Sequence, residues 1–233
     1  MSDLTFDSFV LAASTADLDE EPIARDVADA IEFRLDLADD PLAALDAYGG
    51  TLPLIATNRP TWEGGETGDE RERFDELEIA IEHQSVAAVD VELDALTGAA
   101  DAAAADRARA LRDRAEDLGV SVIASTHDFE STPPSDALLD RLSTAAAAGD
   151  VAKLATTARS RDDALDLLVA THRASGRGET VATMAMGEAG RHTRAIAPVY
   201  GSTIGYAPVD PDRATAPGQY DLETLSRLVS SLS

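Results

Sequence analysis

The sequence predicts a (β/α)8 barrel, one domain over residues 1–233, and three observations predict it. Eight short apolar runs recur along the chain. Polar or alanine-rich stretches of helical period lie between them. No linker, low-complexity tract or internal repeat breaks the series. Strand–helix alternation implies a parallel sheet, and eight parallel strands can close on themselves. A doubly wound open sheet is the competing arrangement. It usually has fewer strands and often a glycine fingerprint after the first, and "LAASTAD" (11–17) carries none.

In chain order the strands are "FVLAAS" (9–14), "AIEFRLDL" (30–37), "TLPLIATN" (51–58) and "AAVDVEL" (87–93). They continue with "SVIASTHD" (121–128), "DVAKLATTA" (150–158), "TVATMAMG" (180–187) and a last one near "PVYGSTIGYA" (198–207). Helical period marks 69–83, 101–119, 133–149 and 160–175. The final helix, 221–232, opens with Asp221 as N-cap and Glu223 in its first turn.

Hydrophobic residues make up 44% and aromatics only 4%, so the core is built from Ala, Val, Leu and Ile. Without cysteine there is no disulfide and no thiolate metal site. No N-terminal apolar leader and no run of 18 or more apolar residues appears, which reads as a cytoplasmic protein with no membrane partner. The net charge of −25 argues against nucleic acid and anionic membranes, which call for basic surfaces. It suits a high-salt cytoplasm, where screening cuts the Debye length to roughly 3 Å at 1 M.

Barrel enzymes place their chemistry at the C-terminal ends of strands. Glu32, Arg34 and Asp36 alternate in the second strand and share one face. Both faces of a parallel barrel strand are covered, so this is read as an interior charge set that needs partners. After the third strand, "TNRPTWEGG" offers Arg59 as an oxyanion fork and Glu63 in a loop bent at Gly64–Gly65. The fifth strand ends in His127, whose proton chemistry works near neutral pH. Asp128 beside it faces the other way, and His83, His172 and His192 read as surface residues. A metal at His127 would lack further ligands.

Lys153, in the sixth strand, is the only lysine among 19 cationic residues. It reads as an anion clamp, a structural ion pair or an imine-forming nucleophile. The last requires a neutral amine, which burial and a nearby arginine favour and which arginine itself never supplies. Arg194, near the seventh strand, is a second anion site, with Arg191 read as a surface charge. Thr215 and Gln219 add hydrogen-bonding groups beside a Pro–Gly turn.

Together the segments "EFRLD", "TNRPTWEGG", "STHDF", "VAKLA", "MAMGEAGRHTR" and "GSTIGYAPVDPDRATAPGQ" resemble the type I 3-dehydroquinate dehydratases, in order and over most of the chain. The resemblance implies a commonly dimeric (β/α)8 barrel. Its small-molecule substrate is 3-dehydroquinate, which it dehydrates to 3-dehydroshikimate without metal or cofactor. It implies Lys153 as the imine-forming residue, His127 as the general acid/base and Glu63 as the carboxylate that orients the imidazole. Glu32, Arg34, Arg59, Arg194, Thr215 and Gln219 would bind substrate. Thr215 stands where the family often has serine, keeping the hydroxyl with a restricted rotamer. The alternatives are another lysine-imine lyase or aldolase on a barrel, and a barrel that binds a small acid without turning it over.

Overall fold

The computed structural model describes residues 4–213 and 218–232. The strands are β1 (Val10–Thr15), β2 (Ala30–Arg34), β3 (Leu54–Thr57), β4 (Val86–Glu92), β5 (Ser121–Asp128), β6 (Val151–Thr157), β7 (Val181–Met186) and β8 (Ile204–Pro208). The helices are α1 (Glu21–Ala24), α2 (Pro41–Asp46), α3 (Glu70–Ala80), α4 (Leu93–Thr97), α5 (Ala102–Leu118), α6 (Ser135–Ala146), α7 (Arg161–Gly176), α8 (Thr193–Ile196) and α9 (Leu222–Leu232). Each strand from β1 to β6 pairs in parallel with the next, and β8 pairs with β1. The ring nearly closes between β7 and β8 through one parallel bridge, Val181 to Ser202, where the Thr203 N–H reaches the Val181 carbonyl at 2.7 Å.

Alternation along each strand sorts side chains between two cores. Outward residues such as Ile31, Phe33, Leu54, Val89, Val122 and Leu154 pack under the helices. Inward residues form a second apolar cluster, with Ala12, Ala30, Ala88 and Ala182 beside Ile55, Ile123, Val151 and Ile204. Mixing methyl groups with branched side chains suits the narrow interior.

The helix starts follow their sequence signals. The Asp69 carboxylate accepts from the Arg71 and Glu72 N–H groups, and Ser160 with Asp163 forms a capping box. The Asp221 carboxylate takes the Thr224 N–H at 2.8 Å, as its N-cap role predicts.

Two strands differ from expectation. β2 stops at Arg34, and Leu35–Leu37 turn into a 3-10 helix, so Asp36 leaves the strand. The eighth run starts later, because Ala197–Tyr200 form a 3-10 turn. Pro198 presets that turn, and Gly201, at φ 102°, ends it in the left-handed region. Among the described residues no helix is long and apolar enough to cross a membrane.

Candidate active site

An open cleft of about 540 Å3 lies at the C-terminal mouth of the barrel. Glu32, Arg34, Arg59, Glu63, His127, Lys153, Arg194 and Gln219 all line it. Thr215 lies outside the described residues. Eight positions spread over nearly 190 residues of sequence therefore converge on one site.

Lys153 points inward from β6, only 4% exposed. Its Nζ donates to Asp90 Oδ2 at 2.8 Å and stands 3.5 Å from Glu32 Oε1. The groups bonded to this amine are thus carboxylates, and the ion-pair reading describes its resting geometry. Glu32 is fixed in turn by the Ser14 and Thr57 hydroxyls. Two residues along β2, Arg34 is gripped by Asp36 through a two-pronged contact, Nε to Oδ1 at 2.8 Å and Nη2 to Oδ2 at 2.6 Å. Asp36 still belongs to the charge set, but it reaches Arg34 from the 3-10 turn and not along the strand.

Arg59 is the hub of the buried charges. It bonds Glu92 and the Ser125 hydroxyl, each at 2.8 Å, lies 3.1 Å from Asp90 and 3.8 Å from Glu63. The far oxygen of Glu92 accepts from Arg73 of α3 at 2.7 Å, and both residues are fully buried. Asp90 sits between Arg59 and Lys153, and against the cost of burial these cations hold its carboxyl far below the usual carboxylate range.

His127 Nδ1 and Glu63 Oε2 are 2.7 Å apart. Burial pushes Glu63 up to about 8, although Arg59 pulls the other way. Burial, with the charges of Arg59 and Lys153, holds the imidazole well below its usual range. Both shifts favour the uncharged form of each partner, so the pair keeps one shared proton near neutrality. The loop that delivers Glu63 depends on its glycines. Gly64 has φ 79°, and a side chain there would strike the Phe129 ring. One on Gly65 would meet the Arg59 carbonyl at 2.0 Å. Asp128 faces away from the cleft, as expected, and accepts from the Glu130 and Ser131 N–H groups.

Arg194, in α8, is 5% exposed. Among the described residues it has no ion-pair partner and its Nε has no hydrogen-bond partner. Desolvation without a counterion pulls it down to about 10. A buried guanidinium facing a cleft this way is a receptor for an anion. Arg191 is half-buried, with its guanidinium over the Tyr220 ring, and does not line the cleft. None of His83, His172 and His192 lines it either.

Sequence reasoning missed Asp90, Glu92, Arg73 and Tyr206. The first two carry the same signal as Glu32 and Arg34: charges at alternate positions of a buried strand, here "VDVE" (89–92). Nothing in the charged face of 69–83 marks Arg73 as the residue that turns inward.

The family model described as type I 3-dehydroquinase matches residues 9–233. The chain is 59% identical over 229 residues to the 3-dehydroquinate dehydratase of Haloarcula marismortui, covering 98% of each chain. It is 52% identical to that of Haloquadratum walsbyi, covering 99% of this chain and 95% of the other. The crystal structure of 3-dehydroquinate dehydratase from Geobacillus kaustophilus superposes with a TM-score of 0.83 at 27% identity, over 97% of this chain and 91% of that one. With the barrel, the cleft and the sequence all in agreement, the chain belongs to the type I 3-dehydroquinase family.

Proposed function

We propose that the chain dehydrates 3-dehydroquinate to 3-dehydroshikimate through an imine on Lys153, with residues 1–233 acting as one catalytic domain. One observation carries the reading: the chain's single lysine is buried in the cleft that also holds the Glu63–His127 pair and Arg194, which has no ion-pair partner among the described residues.

The substrate carboxylate pairs with Arg194, and Glu32, Arg34, Arg59 and Gln219 read its hydroxyls, a task the resemblance also gives to Thr215. Lys153 gives up a proton and its Nζ attacks the C3 ketone. The carbinolamine hydroxyl takes that proton back and leaves as water, which gives a protonated imine and acidifies the C2 proton. His127 takes that proton, and the electron pair moves into an enamine. The enamine expels the C1 hydroxyl, which leaves as water with the proton from the imidazolium. Hydrolysis of the conjugated imine frees the product and the amine. An imidazole held below its usual range is a weak base but a strong acid. The iminium supplies the acidity that the weak base needs, and the strong acid serves the departure of hydroxide.

The assay is the absorbance of the conjugated product on mixing with 3-dehydroquinate. A rising signal in the wild type, absent in Lys153→Ala, supports the reading. Binding without signal points to an acid-binding barrel, and turnover of sugar phosphates instead points to an aldolase.

The same reading includes a homodimer in a high-salt cytoplasm. Leu165 and Val169 are exposed one turn apart on α7, beside exposed Val199 and Tyr200 of the neighbouring turn. His172 meets the Tyr200 ring edge-on, which joins the two into one apolar strip suited to a second copy. Sedimentation of Val169→Asp against wild type tests it.

A further inference from the structure

Tyr206 has no part in the reaction as set out above, yet it touches the reacting nitrogen. Its ring projects inward from β8 and is 4% exposed. Lys153 Nζ lies over the ring face, 4.1 Å from the centroid. The neighbours leave room for it: in the strand register Tyr206 stands beside Ala12, and Lys153 beside Ala182. Tyr206 lines the same cleft as Glu32, Arg59 and Arg194. Burial and the charges of Glu32 and Asp90 hold the phenol well above its usual range, so the ring stays neutral.

We infer that the ring face of Tyr206 is a catalytic contact that stabilises the iminium cation on Lys153. The inference rests on the imine reading above and follows from counting N–H groups. The resting ammonium has three, and carboxylates stand 2.8 and 3.5 Å from its nitrogen. Once Nζ is doubly bonded to carbon, a single N–H is left, while the positive charge persists. The hydrogen bond to Asp90 and the close approach to Glu32 can no longer serve the cation as they did. A ring face attracts charge and needs no hydrogen, so its contact survives the change. Two states of the cycle carry charge on nitrogen, the ammonium and the iminium. The carbinolamine and the enamine do not. The ring therefore tilts the covalent intermediates toward the iminium, by roughly 30-fold for a desolvated cation–π contact.

The test replaces Tyr206 in the full chain with phenylalanine, then with mono-, di- and trifluorinated phenylalanine. The shape is kept while the negative ring face is weakened in steps. Each variant is mixed with 3-dehydroquinate and borohydride, which among the covalent intermediates reduces only the iminium, and the mass added at Lys153 is measured against the folded fraction. Tyr206→Phe is expected to trap like the wild type, and the trapped ratio to fall in even logarithmic steps with each fluorine. A flat series overturns the inference and leaves the Lys153 reading standing. So does a Tyr206→Phe variant already at the bottom of the scale, since the hydroxyl would then be the active part. No adduct in the wild type ends both.

Discussion

Two layers inside one barrel, a strand-step of two residues apart, were built for different purposes. The lower holds Ala12, Ala30, Ile55, Ala88, Ile123 and Val151. The upper, on the same strands and the same face, holds Ser14, Glu32, Thr57, Asp90, Ser125 and Lys153. The step between them is about 6.6 Å. Every lower residue is apolar and needs only volume. Every upper residue carries a polar atom, and each carboxylate and cation there has a partner. Buried charges of this kind do little for stability compared with well-packed hydrocarbon. The upper layer therefore marks where the barrel gives up packing for chemistry, and the lower layer carries the fold that holds it in place.

The sharpest break between the layers should come at Lys153. Lys153→Arg keeps the charge beside Asp90 but never offers a neutral amine, so turnover should drop by more than about 10⁴-fold. Turnover close to wild type would return Lys153 to a structural ion pair. His127→Ala should cost about 10²- to 10⁴-fold in kcat, while borohydride still traps an adduct. Loss of the adduct in that variant would move His127 to the imine-forming step.

Asp90→Asn strands Arg59 and Lys153 without their shared anion, and denaturant unfolding should show a loss of about 3–5 kcal/mol. The two buried carboxylates should also give opposite pH slopes. Asp90 is depressed, so its contribution to stability is present above the ordinary carboxylate value of about 3.9 and is lost as pH falls below it. Glu63 is raised to about 8, so its contribution is full at low pH and is lost as pH rises through 8. Unfolding curves of Asp90→Asn and Glu63→Gln across pH should each flatten the matching side.

In the free protein, NMR should place the His127 titration below the ordinary 6.5, since burial and neighbouring cations disfavour the imidazolium. The smallest effect belongs to the lower layer. Ile123→Val should cost about 0.5–1.5 kcal/mol of stability and leave kcat/KM unchanged. A large loss of activity there would blur the division between layers.

Much of this was legible in the residues. Strand order and helix starts followed from apolar runs and from caps such as Asp69, Ser160 and Asp221, which act locally. Glu32, Arg34, Arg59, Glu63, His127, Lys153, Arg194 and Gln219 were legible as candidates because they are charged or polar groups in buried strands or in the loops that follow them, and their roles came from the resemblance. What stayed hidden depends on distance in sequence. The bond from Arg73 to Glu92 joins a helix to a strand, and only the closed ring shows that Arg73 turns inward. Tyr206 lay in the last strand run with no chemical signal of its own, and only the ring, which sets β8 one strand away from β6, brings it to Lys153. Asp36 was assigned to the strand because alternation cannot reveal a 3-10 turn that begins one residue earlier.

The central claim is a covalent bond between substrate and one amine. The direct measurement is mass spectrometry of the protein digested after borohydride reduction in the presence of 3-dehydroquinate. Lys153 is the chain's only lysine, so the account predicts a single modified peptide containing residues 151–158, at stoichiometry approaching one per chain. Full turnover with that peptide unmodified, or an adduct only at the N-terminal amine, would contradict it.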